Sequence, residues 1–388
     1  MPNATSTCTA GNLRSLPDCL RLFPGFSAKG DAEFGLIGRK RRAFGWDLAV
    51  VDRHLAGCPF GRRHHARQHD FGVGVRRLGA DLPARTRAPE QGLRLCRPRP
   101  EDPERPADQV AIGSNTKQFT AAAILLLEVQ GKLKVTDLIC AYIAQCPSAW
   151  GVITIKELLT HTSGIPDFTH SPDLAGYAGP PLTPLQIIAH FRDLPLDFAP
   201  GTTFSYDNSG YILLGYIIEQ VSGISYEAFL QKYILTPLNL RDTGYNYNSN
   251  GVAIGYTNGS ATPAEPEDPS VPYAAGALYS TVEDMNRWEQ ALTTDALLPA
   301  ASRAEMFAIQ AAIPGGDPMA AGYGYGFLIG TDSGRPIIWH DGAISGFVSI
   351  EARYPVDDVA VIILSNQMNA SDLVILEGIS AKIFNAEQ

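Results

Sequence analysis

A segment that is apolar on every face of a helix constrains the fold of this 388-residue chain more than any other stretch. It runs from residue 115 to residue 130 and reads "NTKQFTAAAILLLEVQ". A helix with apolar residues all round is buried inside a domain. Gly131 follows directly, and glycine is the residue that most often ends a helix in the left-handed conformation. We therefore expect this helix to lie at the centre of a folded domain.

Other periodic segments predict the elements around this helix. The stretch 182–191 begins with Thr183 as N-cap, Pro184 at the first helical position and Gln186 completing a capping box. Capping residues at Ser280 or Thr281 likewise start a helix. The predicted helices cover 154–164, 182–191, 209–223, 225–235, 280–292 and about 370–385.

After residue 320 the hydrophobic period changes to that of strands. The runs "YGFLIG", "RPIIWH", "FVSIEARY" and "VAVIILS" are short, β-rich and separated by turn residues, which predicts antiparallel hairpins. The fold class is therefore α+β, with a helical part at about 114–300 and a sheet part at about 320–388. Residues 255–275 contain four prolines and are interpreted as a surface loop.

The first 108 residues differ in charge from the rest. They hold 19 of the 31 Lys and Arg residues but 12 of the 40 Asp and Glu residues. Such asymmetry is typical of basic nucleic-acid arms. However, "RPRPEDPERP" at 97–106 is rich in proline and has no hydrophobic period, so we expect no nucleic-acid binding. We divide the chain into an atypical Arg/Pro-rich segment, 1–106, and a folded domain, 107–388.

The sequence shows no pattern typical of a targeting segment, a metal site or a disulfide framework. The N-terminus lacks the charged start and apolar core of a signal peptide, and no run of about 18 apolar residues predicts a membrane span. The chain as written is expected in the cytoplasm, whereas a different true N-terminus would allow a periplasmic or secreted protein. We interpret His64, His65 and His69 as a solvated loop rather than a metal site. Neither a zinc site nor a disulfide framework is predicted from the spacing of the cysteines, which are Cys8, Cys19, Cys58, Cys96, Cys140 and Cys146.

Ser114 and Lys117 stand where the buried helix begins, and their spacing places both on one face of its first turn. Ser114 can be read simply as an N-cap. Lys117 fits that reading poorly, because a cation at a helix N-terminus opposes the helix dipole and this helix is buried. Burial and the positive helix end also lower a lysine pKa. A neutral Lys117 could then accept the proton of Ser114, as in an activated nucleophile.

Two further elements carry polar side chains of catalytic type. "FSYDNSGY" contains Tyr206, which can transfer protons, and Asn208, which can orient a substrate or Lys117. The alternative is a turn in which Asn208 caps the next helix. "WHDGAISGF" contains His340 near the end of a strand and Gly342, which permits a close approach of backbone. The alternative for His340 is an ordinary histidine at a strand end.

Together these residues resemble the serine β-lactamase and penicillin-binding-protein superfamily, and most of all its class C branch, which includes D-alanyl-D-alanine carboxypeptidases, D-aminopeptidases and family VIII esterases. The motifs Ser114-x-x-Lys117, Tyr206-x-Asn208 and His340-x-Gly342 stand in the family order. Similar stretches include "LLTHTSGIPDF", "PGTTFSYDNSGY", "PLNLRDTGY" and "GALYSTVEDMNRW". The resemblance covers about 107–388. It implies a β-lactamase-like fold, an antiparallel sheet flanked by helices with an inserted helical subdomain.

The resemblance also implies roles and an activity. Ser114 would attack an acyl carbon, Lys117 and Tyr206 would handle its proton, and Asn208, His340 and Gly342 would bind substrate. The backbone N–H groups of Ser114 and Ala343 would form the oxyanion hole. The reaction requires no metal or organic cofactor, and its partner is a small ester, amide or β-lactam.

One departure bears on the substrate. β-Lactamases of this branch usually carry Lys where this chain has His340, and a neutral histidine attracts a carboxylate less than lysine does. We therefore expect hydrolysis of small carboxylic esters or D-amino-acid amides and peptides. The alternatives are a β-lactamase, a catalytically weak penicillin-binding protein, or a nucleic-acid binder that uses the basic segment.

The family fold begins with two strands that this chain does not show by pattern, so they are expected to be missing or garbled. "GLRLCRP" could be encoded so that reading one nucleotide later gives A-Y-G-Y-A-D, a family-like stretch. We therefore predict that part of residues 1–106 is an out-of-frame translation, which would leave the edge of the sheet exposed. The alternative is a genuine but divergent N-terminal extension.

Overall fold

A computed structural model of the protein describes residues 71–77, 93–94, 109–249, 251–257, 262–265 and 267–385, and of 71–77 and 93–94 only the backbone. The predictions made for the histidine cluster, Cys8, Cys19, Cys58, Cys96 and the basic segment, apart from residues 71–77 and 93–94, lie outside these residues. The reading frame of residues 1–106 stays a prediction.

An antiparallel sheet of eight strands carries the described fold, in the order β2-β1-β11-β10-β9-β8-β7-β6. A smaller sheet has the order β3-β5-β4. Together with the helices, the sheets make the described part an α+β fold, as predicted. The strands are β1 (Phe71–Arg77), β2 (Leu93–Arg94), β3 (Val110–Ala111), β4 (Gly244–Tyr245), β5 (Leu278–Ser280), β6 (Ala311–Ala312), β7 (Gly322–Tyr323), β8 (Leu328–Asp332), β9 (Arg335–Ile344), β10 (Phe347–Tyr354) and β11 (Val359–Ser365).

The helices surround a central one, α1 (Thr116–Val129), as the sequence predicts. Its residues are buried except Leu126, Glu128 and Val129, and Gly131 after it has the left-handed φ of +69°. The other helices are α2 (Ile155–Leu159), α3 (Pro184–Ile188), α4 (Ser209–Ser222), α5 (Tyr226–Leu230), α6 (Tyr273–Gly276), α7 (Val282–Thr293), α8 (Ala300–Met306) and α9 (Asp372–Asn385).

Capping signals confirm where several helices begin. The predicted helix 225–235 is α5 followed by a π-helical segment, Gln231–Leu235, and two other helices are shorter than predicted. Thr183 and Gln186 form the capping box of α3, and Thr281, rather than Ser280, caps α7. The segment 154–164 is helical only over α2, because His161 turns the backbone to a left-handed φ of 57°. The segment 182–191 is helical only over α3, and tighter turns follow it.

The expectation that the N-terminal strands are missing is wrong for residues 71–77. All seven residues of β1 pair with β11, from Phe71 opposite Ser365 to Arg77 opposite Val359. β2 pairs with the other side of β1. This pairing covers the edge of β11. The run "FGVGVRR" suits a strand because Phe71, Val73 and Val75 alternate with glycines.

Two further predictions need correction. The segment 255–275 is not a surface loop throughout, because Val271, Ala274 and Ala275 are buried where α6 packs beside α1 and α4. Cys140 and Cys146 form a disulfide, although no disulfide framework was predicted. A turn at Ile139–Ala141 and a left-handed Gln145 bring the two cysteines together, and their spacing alone does not reveal this.

Candidate active site

Ser114 lies in a single 3₁₀ turn, Gly113–Asn115, that leads directly into α1. The N-cap of α1 is Asn115, and no side chain caps this end of the helix. Ser114 Oγ instead accepts a hydrogen bond of 3.0 Å from Lys117 Nζ. In the structure, Ser114 is therefore not the N-cap of α1.

Lys117 is fully buried and donates to three oxygens from three parts of the chain. Besides Ser114 Oγ, these are Asn208 Oδ1 at 2.8 Å and the carbonyl oxygen of Ala275 at 3.0 Å. Burial lowers the pKa of Lys117 from 10.5 to about 7, although nearby aspartates oppose the shift. Near neutral pH, a large share of Lys117 is therefore the neutral amine. Its two protons suffice for Asn208 and Ala275, and its lone pair can then accept the proton of Ser114.

Tyr206 covers the other side of this pair. Lys117 Nζ lies 4.9 Å from the centroid of its ring. Burial raises the pKa of the Tyr206 hydroxyl well above its usual value, and Ser114 partly offsets this rise in the pKa, while 38% of the residue surface remains exposed. The structure thus brings a protonated phenol and a lysine to one serine.

Asn208 is held in place by two hydrogen bonds and does not cap α4 through its side chain. Its Oδ1 accepts from Lys117, and its Nδ2 donates to Asp167 Oδ2 at 3.1 Å. Asp207 takes over the first turn of α4, since its Oδ1 accepts from the backbone N–H of Gly210. The orientation of Asn208 is therefore fixed toward Lys117. Asn208 occupies the N-cap position of α4, but its side chain does not cap the helix.

His340 lies in β9 and is enclosed by protein, with 1% of its surface exposed. Its Nε2 is 2.9 Å from the hydroxyl of Tyr323, and its Nδ1 is 2.5 Å from the carbonyl oxygen of Asp341. Burial lowers its pKa to about 4, so the ring is neutral at pH 7. The side chain expected to bind substrate thus has both nitrogens bonded within the protein.

Gly342 and Ala343 bring the backbone of β9 against the residues just before Ser114. A Cβ at Gly342 would lie 2.1 Å from the carbonyl oxygen of Ile112, so only glycine fits. Gly113 has a φ of +47°, and a Cβ there would lie 2.8 Å from the backbone nitrogen of Ala343. The exposed Ala343 is therefore beside the serine turn, where the sequence places the second oxyanion donor.

Sequence reasoning missed four residues of this site: His161, Asp167, Ala275 and Tyr323. His161 is fully buried, accepts from the backbone N–H of Asp207 at 3.2 Å and packs its ring 4.3 Å from that of Tyr206. Burial and the charge of Lys117 lower its pKa well below the usual value. The stretch "LLTHTSGIPDF", which contains His161 and Asp167, was the available signal, whereas Ala275 acts through its backbone and leaves no signal.

Neither a metal-binding cluster nor a membrane-spanning helix is found among the described residues. No group of three or more His, Cys, Asp or Glu side chains among them is arranged to hold a metal ion. No helix formed by the described residues is long and apolar enough to cross a membrane.

Comparison with known proteins shows the family and the fold. The model of the Beta-lactamase family matches residues 97–379. A relative named putative penicillin-binding protein PbpX, from Bacillus subtilis (strain 168), is 30% identical over 273 residues, which are 69% of this chain and 64% of the relative. Protein flp from Staphylococcus aureus (strain MW2) is 28% identical over 290 residues, which are 72% of this chain and 57% of flp. The chain thus spans about three fifths of the length of these curated relatives.

Solved structures share the fold. The octameric penicillin-binding protein homologue from Pyrococcus abyssi has a TM-score of 0.67 at 26% identity, over 81% of this chain and 73% of the homologue. The D-amino acid amidase from Ochrobactrum anthropi SV3 has a TM-score of 0.64 at 23% identity, over 78% of this chain and 89% of the amidase. These likenesses extend across most of the described residues.

Proposed function

Since this chain belongs to the Beta-lactamase family, we propose that it is a serine hydrolase that forms an acyl-enzyme on Ser114 and acts on small carboxylic esters or D-amino-acid amides. The observation that carries the proposal is the contact of 3.0 Å between Lys117 Nζ and Ser114 Oγ, at a lysine with a pKa of about 7. A nucleophilic serine requires a neighbouring base that is free at working pH.

The first step transfers one proton and forms one bond. Lys117 takes the proton of Ser114 as Oγ attacks the acyl carbon, and the carbonyl oxygen becomes an oxyanion. The backbone N–H groups of Ser114 and Ala343 stabilise that charge, an effect typically worth roughly 10²–10³ in rate. The packing of Gly342 on Ile112 supports this role for Ala343.

The second step expels the leaving group. The hydroxyl of Tyr206, whose ring lies beside Lys117 Nζ, passes a proton to the leaving oxygen or nitrogen and recovers one from Lys117. Water then attacks the acyl-enzyme with the same groups acting in reverse, which regenerates Ser114. Asn208, held by Lys117 and Asp167, orients the acyl side chain.

The charges around the nucleophile support the choice of substrate. Asp167 and Asp341 act electrostatically on Lys117, as does the buried Asp207, whose raised pKa of about 7 leaves it only partly charged at neutral pH, and His340 is neutral. An environment of this kind attracts an ammonium group and repels a carboxylate. It favours neutral esters and amides with a free amine, as in D-amino-acid amides, over β-lactams, which carry a carboxylate.

The test is covalent labelling followed by turnover. The protein is incubated with p-nitrophenyl butyrate, D-phenylalanine amide or nitrocefin, quenched, and analysed by intact and peptide mass spectrometry. We expect a butyryl adduct on Ser114 and steady release of nitrophenol. Ser114→Ala should abolish both, whereas Ser205→Ala, at an exposed serine near the site, should abolish neither.

The possible results are distinct. An adduct that forms without turnover would replace the hydrolase by an acyl-binding protein, and turnover of nitrocefin above that of the esters would favour a β-lactamase. A protein that forms no adduct on Ser114 with any of the three probes would refute the proposed function.

A further inference from the structure

Tyr323 is a buried tyrosine whose hydroxyl points at a catalytic element rather than at solvent. It ends β7, has no exposed surface, and its hydroxyl lies 2.9 Å from His340 Nε2. A buried hydroxyl without a partner costs free energy. The contact with His340 Nε2 gives the Tyr323 hydroxyl the partner that it needs. It also links β7 to β9 just before Gly342.

The hydrogen-bond network fixes which atom donates. The carbonyl oxygen of Asp341 can only accept, so the proton of the neutral His340 ring lies on Nδ1. Nε2 then carries a lone pair, and the Tyr323 hydroxyl must donate to it. His340 thus has one bond at each nitrogen and none left for a substrate.

The same two rings form the wall against which Tyr206 rests. The ring centroid of Tyr206 lies 6.0 Å from that of His340 and 6.4 Å from that of Tyr323. On the remaining side His161 packs 4.3 Å from Tyr206 and 4.6 Å from Tyr323. Without the Tyr323 hydroxyl, His340 Nε2 would be a buried acceptor close to the Tyr206 phenol.

We propose that Tyr323 is a positioning residue: by donating to His340 Nε2 it keeps that nitrogen from competing for the Tyr206 hydroxyl, which is thereby left free to serve Ser114. The proposal rests on the proposed function, because it concerns the same acyl transfer. It also assigns His340 a structural task in place of substrate binding. Tyr323 touches neither substrate nor reacting atoms.

The kinetic test uses Tyr323→Phe, which removes one oxygen and keeps the ring. We expect the acylation rate of Ser114 to fall roughly tenfold, the effect of one hydrogen bond of about 1.4 kcal/mol. KM should stay within about twofold, and the loss should be the same for acetyl and butyryl esters. Tyr325→Phe, at a second buried tyrosine two residues on, should leave the rate unchanged.

A double-mutant cycle isolates the Tyr323–His340 pair. In a His340→Leu background, confirmed as folded by circular dichroism, Tyr323→Phe should cost no more than about twofold, because its partner is gone. Additive losses would overturn the proposal. So would a loss that depends on the acyl group, which would mean that His340 contacts substrate.

A second measurement does not depend on activity. Nitrogen-15 NMR of the histidine rings should show His340 with its proton on Nδ1, and a shift of the Nε2 resonance in Tyr323→Phe. A proton on Nε2 in the wild-type protein would refute the proposal even if Ser114 is acylated normally. If Ser114 is not acylated by any probe, the proposed function fails, while this readout still decides the Tyr323–His340 pair.

Discussion

Replacing Lys117 by Met is expected to lower the acylation rate of Ser114 roughly 10³-fold at pH 7. Burial brings the pKa of Lys117 from 10.5 to about 7, so about half of the amines are neutral at pH 7. At the ordinary pKa about one amine in 3,000 would be neutral, so the burial increases the supply of free base roughly 10³-fold. In the wild-type protein the acylation rate should therefore rise with pH and level off above about 8.

The assay is the pre-steady-state burst of nitrophenol from p-nitrophenyl acetate, followed from pH 5 to 9. Asp207 also has a pKa that burial raises to about 7, and Asp207→Asn separates the two groups, since the amide oxygen can still accept from Gly210. If Lys117 sets the midpoint, removing the negative charge of Asp207 should move it to lower pH. A midpoint that vanishes in Asp207→Asn, or a burst rate of Lys117→Met within tenfold of wild type, would refute the reasoning.

Three more predictions follow from the same contacts. Gly342→Ala should lower kcat about 10²–10³-fold, because its Cβ would lie 2.1 Å from the carbonyl oxygen of Ile112 and displace the Ala343 N–H; an unchanged burst rate would contradict this. The lowered pKa of Lys117 destabilises the fold below pH 7, and this cost fades as pH rises toward 10.5. The free energy of unfolding in urea should therefore rise from pH 7 to 9, relative to Lys117→Met, by at most about 1.4 kcal/mol per pH unit; a parallel pH dependence of the two proteins would exclude it. Replacing Cys140 and Cys146 by Ser should lower the free energy of unfolding by about 2 kcal/mol and leave acylation of Ser114 intact, and calorimetry with a burst assay checks both.

The sequence allowed the principal groups of the site to be predicted because each carries a local signal. The spacing of Ser114 and Lys117 puts both on one helical turn, and the all-round apolar character of α1 predicts its burial. Tyr206 and Asn208 stand beside a helix start, where polar side chains are expected. The structure brings the other three groups around Lys117 Nζ, which contacts Ser114 Oγ, Asn208 Oδ1 and the Tyr206 ring.

The parts that could not be predicted depend on tertiary contacts. His340 is enclosed because Tyr323 arrives from another strand, and no local pattern pairs two residues across a sheet in this way. Lys117 finds its third acceptor on the backbone of Ala275, in a segment whose prolines suggested an exposed loop. β1 was missed because the surrounding Arg and Pro residues hide a short alternation in which Phe71, Val73 and Val75 are separated by single glycines.

Whether the Cys140–Cys146 disulfide forms depends on the compartment in which the chain is made. Disulfides persist where the surroundings are oxidising, such as the periplasm or the extracellular space, and are reduced by glutathione and thioredoxin in the bacterial cytosol. A preparation from the cytosol and one from an oxidising compartment would therefore differ by two hydrogens in mass. The host and the compartment of expression therefore determine whether a sample of this protein contains the disulfide or two free thiols.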